Sequence, residues 1–99
     1  MSSPNYGLRV TNTLVRSVGL TSAQSAATDA NTEYVRIVSD TDGVLIAFGA
    51  NPTATTSTTI LGAYDPEIFK IDGGMKIAAI LASGSGNIYI DELSEWNVR

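Results

Sequence analysis

The chain offers ten carboxylates, six basic side chains, no histidine and no cysteine. Nucleophile–base pairs built on those two absent residues, and soft-metal sites, are closed to it. What remains is carboxylate chemistry and oxygen ligation. Asp40 and Asp42 flank Thr41 ahead of Gly43, the opening of a calcium loop. Such a loop needs further oxygen ligands and a bidentate acid near its end, whereas here the chain runs straight into Val44-Leu45-Ile46. The group reads as a hairpin turn in which aspartate bonds its own backbone. Asp91, Glu92 and Glu95 form a second cluster. A glycosidase sets two carboxylates at a fixed separation across a cleft. Neighbours in a strand project to opposite faces, so this cluster reads as a solvated strand end. Gly73-Gly74 and Gly84-Ser85-Gly86 are no phosphate cradles, because neither opens a helix nor leads into a P-loop lysine with Ser or Thr. Both read as hairpin turns. No catalytic residue, cofactor or metal is expected, and the expectation is a protein that is not an enzyme.

The seven aromatics divide by context. Phe48 and Phe69 lie in apolar strands and belong to the core. Tyr64, Tyr89 and Trp96 are the set that a carbohydrate platform would use. Trp96 stands in a polar tail and Tyr6 in a polar leader. Each either folds back on its own domain or docks on a neighbouring subunit.

The elements that position these residues are strands. Leu8, Val10, Leu14 and Val18 alternate as one strand or two. The small, polar segment Thr21–Thr32 is expected as a loop, since its Ser, Thr, Asn and Asp side chains compete with helix hydrogen bonds. Tyr34–Ser39 is rich in β-branched residues and predicts a strand. Asp-Gly then signals a hairpin, with Val44–Phe48 antiparallel to Tyr34–Ser39. A long loop over Gly49–Thr59 leads to a short strand at Ile60–Leu61. After the Asp65-Pro66 turn, Glu67–Ile71 is a strand with Phe69 and Ile71 on one face. Met75–Ala82 is the most continuous apolar run and predicts a central strand buried on both faces, in which Ile80→Asp is expected to unfold the domain. Asn87–Leu93 is the last strand. Seven or eight short antiparallel strands, with turn signals about every 10 residues, predict an all-β chain folded as a single β-sandwich, jelly-roll-like in topology. Residues 1–7 are expected as a flexible arm, 8–93 as the sandwich and 94–99 as a tail.

Ninety-nine residues make one domain with a modest core. A composition 43% hydrophobic and 16% charged is that of a folded chain, and the low charge favours a homo-oligomer. The net charge of −4 argues against nucleic acid, which rewards a positive face, and against anionic lipid. No apolar run approaches the roughly 20 residues of a membrane span, and no secretory signal is visible. Synthesis in a cytoplasm is the expectation.

Five stretches, in order, carry a resemblance. They are Thr21-Ser22-Ala23-Gln24-Ser25-Ala26-Ala27, then Ala47-Phe48-Gly49-Ala50-Asn51-Pro52-Thr53-Ala54-Thr55, then Pro66-Glu67-Ile68-Phe69 with Gly73-Gly74-Met75-Lys76-Ile77-Ala78 and Gly84-Ser85-Gly86. From Thr21 to about Leu93 the chain resembles small all-β virion proteins of tailed bacteriophages, most of all capsid decoration (cement) proteins. The resemblance implies a trimer on the outer surface of the expanded capsid. It would bind across major capsid protein subunits and stabilise the shell against the pressure of packaged DNA. It also implies contact residues, with Tyr6 and Trp96 reaching neighbours and Asn51, Pro52, Thr53 and Thr55 forming a contact loop. The alternative is a tail or capsid-surface accessory that binds a host receptor or carbohydrate through Tyr64, Tyr89 and Trp96.

Overall fold

A computed structural model describes residues 8–55 and 58–95. Among them there is no helix; eight strands follow in order. They are β1 (Leu8–Val18), β2 (Ala23–Gln24), β3 (Tyr34–Ser39), β4 (Val44–Gly49), β5 (Thr59–Leu61), β6 (Glu67–Lys70), β7 (Lys76–Ile80) and β8 (Gly86–Glu95). Tyr6 and Trp96 lie outside the described residues.

The strands form two four-stranded sheets, ordered β1-β8-β3-β6 and β2-β7-β4-β5, and every strand ladder is antiparallel. First pairs with last, second with seventh, third with sixth and fourth with fifth. This is the order left when one long antiparallel hairpin is rolled up on itself, and it is jelly-roll-like. The alternation of side chains drives the closure. Along β3 every second residue is buried, and Val35 and Ile37 are wholly so. Ile88 and Ile90 do the same on β8, Val44 and Ile46 on β4, and Ile77 and Ala79 on β7. One cluster takes in all of these, so the inner faces of both sheets share a core. Each large aliphatic side chain removed from water contributes roughly 1.5–3 kcal/mol. Phe48 on β4 and Phe69 on β6 pack across the two sheets, ring centroids 5.1 Å apart and tilted by 53°.

Three expected hairpins are corrected by this pairing. Asp40–Gly43 does not fold β4 back on β3; it carries the chain from one sheet to the other. Gly73-Gly74 and Ser83–Gly86 do the same between β6 and β7 and between β7 and β8. The physical reason is competition along the edges of β3. β8 occupies one side and β6 the other, so β4 has no place beside β3 and finds β5 and β7 instead. The one connection between consecutive strands of the same sheet is the long loop from β4 to β5.

Strand β7 is buried on both faces, as its apolar run predicts, but over Ile77-Ala78-Ala79. Ile80 pairs with Leu45 on the outer face and is half-buried. The core-facing residues of β7 are Ile77 and Ala79, so Ile80 is not the side chain on which the fold turns.

Candidate functional site

The carboxylates come first. Alternation along β8 sends Ile88, Ile90 and Glu92 to the inner side, and Glu92 is only 2% exposed. Its Oε1 accepts from the Asp29 backbone N–H and from Thr32 Oγ1, both at 2.8 Å, and its Oε2 accepts from Asn12 Nδ2 at 3.0 Å. Thr11 Oγ1 donates to the Glu92 carbonyl at 3.1 Å. One side chain therefore ties β1, β8 and the loop before β3 together. Asp29 Oδ1 accepts from the Asn31 N–H at 2.8 Å and shapes that loop. A polar cavity of about 400 Å3 opens here, with Thr11, Asn12, Asp29, Asn31 and Ser94 around Glu92. Three donors engage both oxygens of Glu92, and a buried carboxylate is costly unless so engaged.

Asp91 points the opposite way, as the strand period requires. It pairs with Arg36 and accepts from Thr13 Oγ1 at 2.7 Å. Neither Asp91 nor Glu92 belongs to a solvated strand end. That expectation fails because β1 flanks β8 from end to end and β3 flanks it over Ile88–Leu93, and these strands with the loop before β3 supply donors to both carboxylates.

The Asp40–Asp42 turn is also different from its expected form. Asp40 Oδ1 accepts from the Asn87 N–H at 2.8 Å, and Asp42 Oδ1 from the Ala63 N–H at 3.0 Å. The two aspartates bond neighbouring corners, and Asp40 is also held by its own backbone N–H. The hydrogen bonds from the Asn87 backbone and side chain hold the Asp40 carboxyl below the usual carboxylate range. Among the described residues no group of three or more acidic, His or Cys side chains is placed to hold a metal ion.

The proposed contact loop lies against β2. Gln24 Nε2 donates to Asn51 Oδ1 at 2.7 Å and to the Pro52 carbonyl at 2.9 Å. The Ala54 N–H donates to Ser22 Oγ at 2.9 Å. Pro52 is buried, while Asn51, Thr53 and Thr55 are exposed. Since β7 separates β4 from β2, the loop crosses the outer side of β7, and Ala78 beneath it is fully buried.

Beyond that loop the same outer face is partly open among the described residues, with Leu45 and Ile80 half-buried and Leu20 and Ile60 exposed. Register places Leu45, Ile60 and Ile80 side by side, with Ala47 next along β4. Leu20 is 65% exposed and Ile60 62%. Leu20, Leu45, Ile80, Leu81 and Ala82 line a groove of about 360 Å3. Among the residues of the four strands, the only charge on this face is Lys76, at its far end. The sequence reading missed this surface. Its signal was the alternation Val44-Leu45-Ile46, in which both faces of a strand are apolar.

No family model, no curated protein and no solved structure matches this chain. The geometry alone therefore separates two kinds of surface. One is polar and closed by its own hydrogen bonds around Glu92. The other is apolar, uncharged over most of its extent and left partly uncovered by the described residues.

The aromatic residues add a third location. Tyr64 is 75% exposed and stands at positive φ, its N–H donated to the Ser39 carbonyl at 2.8 Å. Tyr89 faces outward from β8, opposite Val38 on β3. The two tyrosines flank the same end of β3, Tyr64 on the β6 side and Tyr89 on the β8 side.

Proposed function

We propose that the protein is a non-enzymatic structural component of a virion, most like a capsid decoration protein of a tailed bacteriophage. It docks on the outside of an expanded capsid shell, bridges neighbouring subunits and opposes their separation. The observation that carries this reading is the partly open apolar face of Leu20, Leu45, Ile60 and Ile80. A contiguous exposed apolar surface marks an interaction site, and charge depletion is the mark of an interface core. The exposed residues of the adjoining loop, Asn51 and Thr53, extend the face with polar groups, the composition of an interface rim. The net charge of −4 favours a basic patch on the shell and repels packaged DNA. The resemblance in the β2, β4–β5 and β6–β7 segments points the same way.

The test is co-sedimentation with expanded heads stripped of accessory proteins, beside unexpanded shells and isolated tails. Saturable binding to expanded heads alone is expected, and Leu45→Ser with Ile60→Ser should abolish it while leaving the fold intact. Binding to tails alone, or to none of the three, overturns the reading.

A second reading rests on Tyr64 and Tyr89 at one end of β3: a surface accessory that binds host carbohydrate by stacking sugar rings on exposed aromatics. Glycan-array binding lost in the Tyr64→Ala, Tyr89→Ala double variant, with head binding retained, would favour it.

A further inference from the structure

Strands β1 and β6 are the two edges of the first sheet. Among the described residues β1 pairs only with β8, and β6 only with β3. Each leaves a row of backbone donors and acceptors open along one side, which is the standard template for pairing with another chain. β1 is 11 residues long, and from Arg9 to Ser17 every residue but Leu14 is exposed. A bulge between Val10 and Asn12 interrupts its register, so Asn12–Val18 is the regular stretch.

The two edges are complementary. β1 is antiparallel to β8, β8 to β3 and β3 to β6. A second copy that continues the sheet therefore brings its β6 antiparallel to β1. The faces must also match, because a slip of one residue turns every side chain over. Leu14 and Phe69 both pack on the core, while Val15 and Ile68 are exposed on the outer face. One register satisfies both strands. Arg16 lies opposite Glu67, Val15 opposite Ile68, Leu14 opposite Phe69, and Thr13 opposite Lys70. A shift of two residues either way puts Glu67 against Leu14 or Val18, and Phe69 against Asn12 or Arg16. β1 carries Arg9 and Arg16 and no acid, and β6 begins at Glu67 just after Asp65. Neither Arg16 nor Glu67 has an ion-pair partner among the described residues.

We propose that copies of this chain join head to tail, β1 of one pairing with β6 of the next in that register. The contact is heterologous, so it closes into a ring when the rotation between copies allows. A ring of three is the form that the phage resemblance implies. The join does not rest on the capsid reading, since it is measured on purified protein with no shell present.

The experiment is sedimentation velocity of the wild type, Arg16→Glu, Glu67→Arg and the double variant over the micromolar range, with far-UV circular dichroism to verify folding. Both positions lie at sheet edges, so the variants are expected to fold. The wild type should sediment as an oligomer. Each single variant should weaken association by about tenfold or more, as like charges then face each other. The double variant, with the charges exchanged, should recover it. A wild type that stays monomeric across the range overturns the proposal, and so does a folded double variant that fails to reassociate. Loss of assembly in Arg16→Glu but not in Glu67→Arg overturns it too, because β1 would then be meeting another β1.

Discussion

Asp40 and Asn87 hold each other reciprocally across two corners of the sandwich. The Asn87 N–H donates to Asp40 Oδ1 at 2.8 Å, and the Asp40 N–H donates to the Asn87 carbonyl at 3.1 Å. The Asn87 side chain adds a further bond to Asp40 Oδ2 at 3.3 Å. The pair joins the link between β3 and β4 to the start of β8, so it fixes where the chain changes sheets.

That pair predicts a pH dependence. The Asn87 backbone bond, and then its side chain, lower the Asp40 pKa in the folded state. A carboxyl held below its unfolded value, about 3.9, contributes stability that is present above that value. The contribution is lost as pH falls through the lower, folded pKa. Denaturant melts between pH 6 and pH 2 should therefore show a flatter decline at the acid end in Asp40→Asn than in the wild type. Parallel curves would remove Asp40 from the account.

Glu92 gives the second prediction. Glu92→Ala leaves the donors of Asp29, Thr32 and Asn12 without their acceptor. Thr32 is buried, and a stranded buried donor costs about 1–3 kcal/mol, while Asn12 and Asp29 are exposed and can turn to water, so a loss of about 2–3 kcal/mol is expected in urea melts. Thr32→Val removes one of the three bonds and should cost about 1 kcal/mol. Equal costs for the two variants would mean that Glu92 is not the joint of these three segments.

Glycine 73 gives the third. A Cβ there would stand 1.9 Å from the Ala30 carbonyl oxygen, a backbone atom that can give way only if its turn shifts with it. Gly73→Ala should therefore destabilise by more than about 2 kcal/mol, on the scale of overpacking. Gly62 is the control, since its Cβ would meet only Asp65 at an ordinary 3.7 Å. Similar melting temperatures for the two alanine variants would contradict the close approach.

The fourth prediction separates folding from docking on one strand. Ile77→Asp buries an unpaired charge at a site with no exposure, at a cost of several kcal/mol against a total of about 5–15. That chain should be unfolded by circular dichroism. Ile80→Asp places its charge in the open groove, and should fold while losing its partner. An unfolded Ile80→Asp protein with a folded Ile77→Asp protein would reverse the assignment of faces.

Strand positions were legible in the sequence because they depend on local alternation. Tyr34–Ser39 and the start of β4 at Val44 are found where β-branched runs and the intervening Asp-Gly place them. Strand partners were not legible. Asp42-Gly43 carries the same local signal whether the chain folds back within a sheet or crosses to the other, and the choice is made by β6 and β8, far away in sequence. The role of Glu92 was hidden for a related reason. Its three partners, Asn12, Asp29 and Thr32, come from two remote segments, and nothing near Glu92 announces them. The exposed loop residues Asn51 and Thr53 could be singled out from composition, while the anchoring of their loop by Gln24 is again a long-range contact.

The nested pairing has a consequence for how the protein is made. The partner of β1 is the last strand of the described chain, so residues 8–18 leave the ribosome long before residues 86–95 exist to receive them. Only the β4–β5 ladder joins consecutive strands, and every other ladder requires a longer closure, which slows folding. During synthesis β1 and β3 therefore wait with their adhesive edges bare until β8 emerges to pair with both of them.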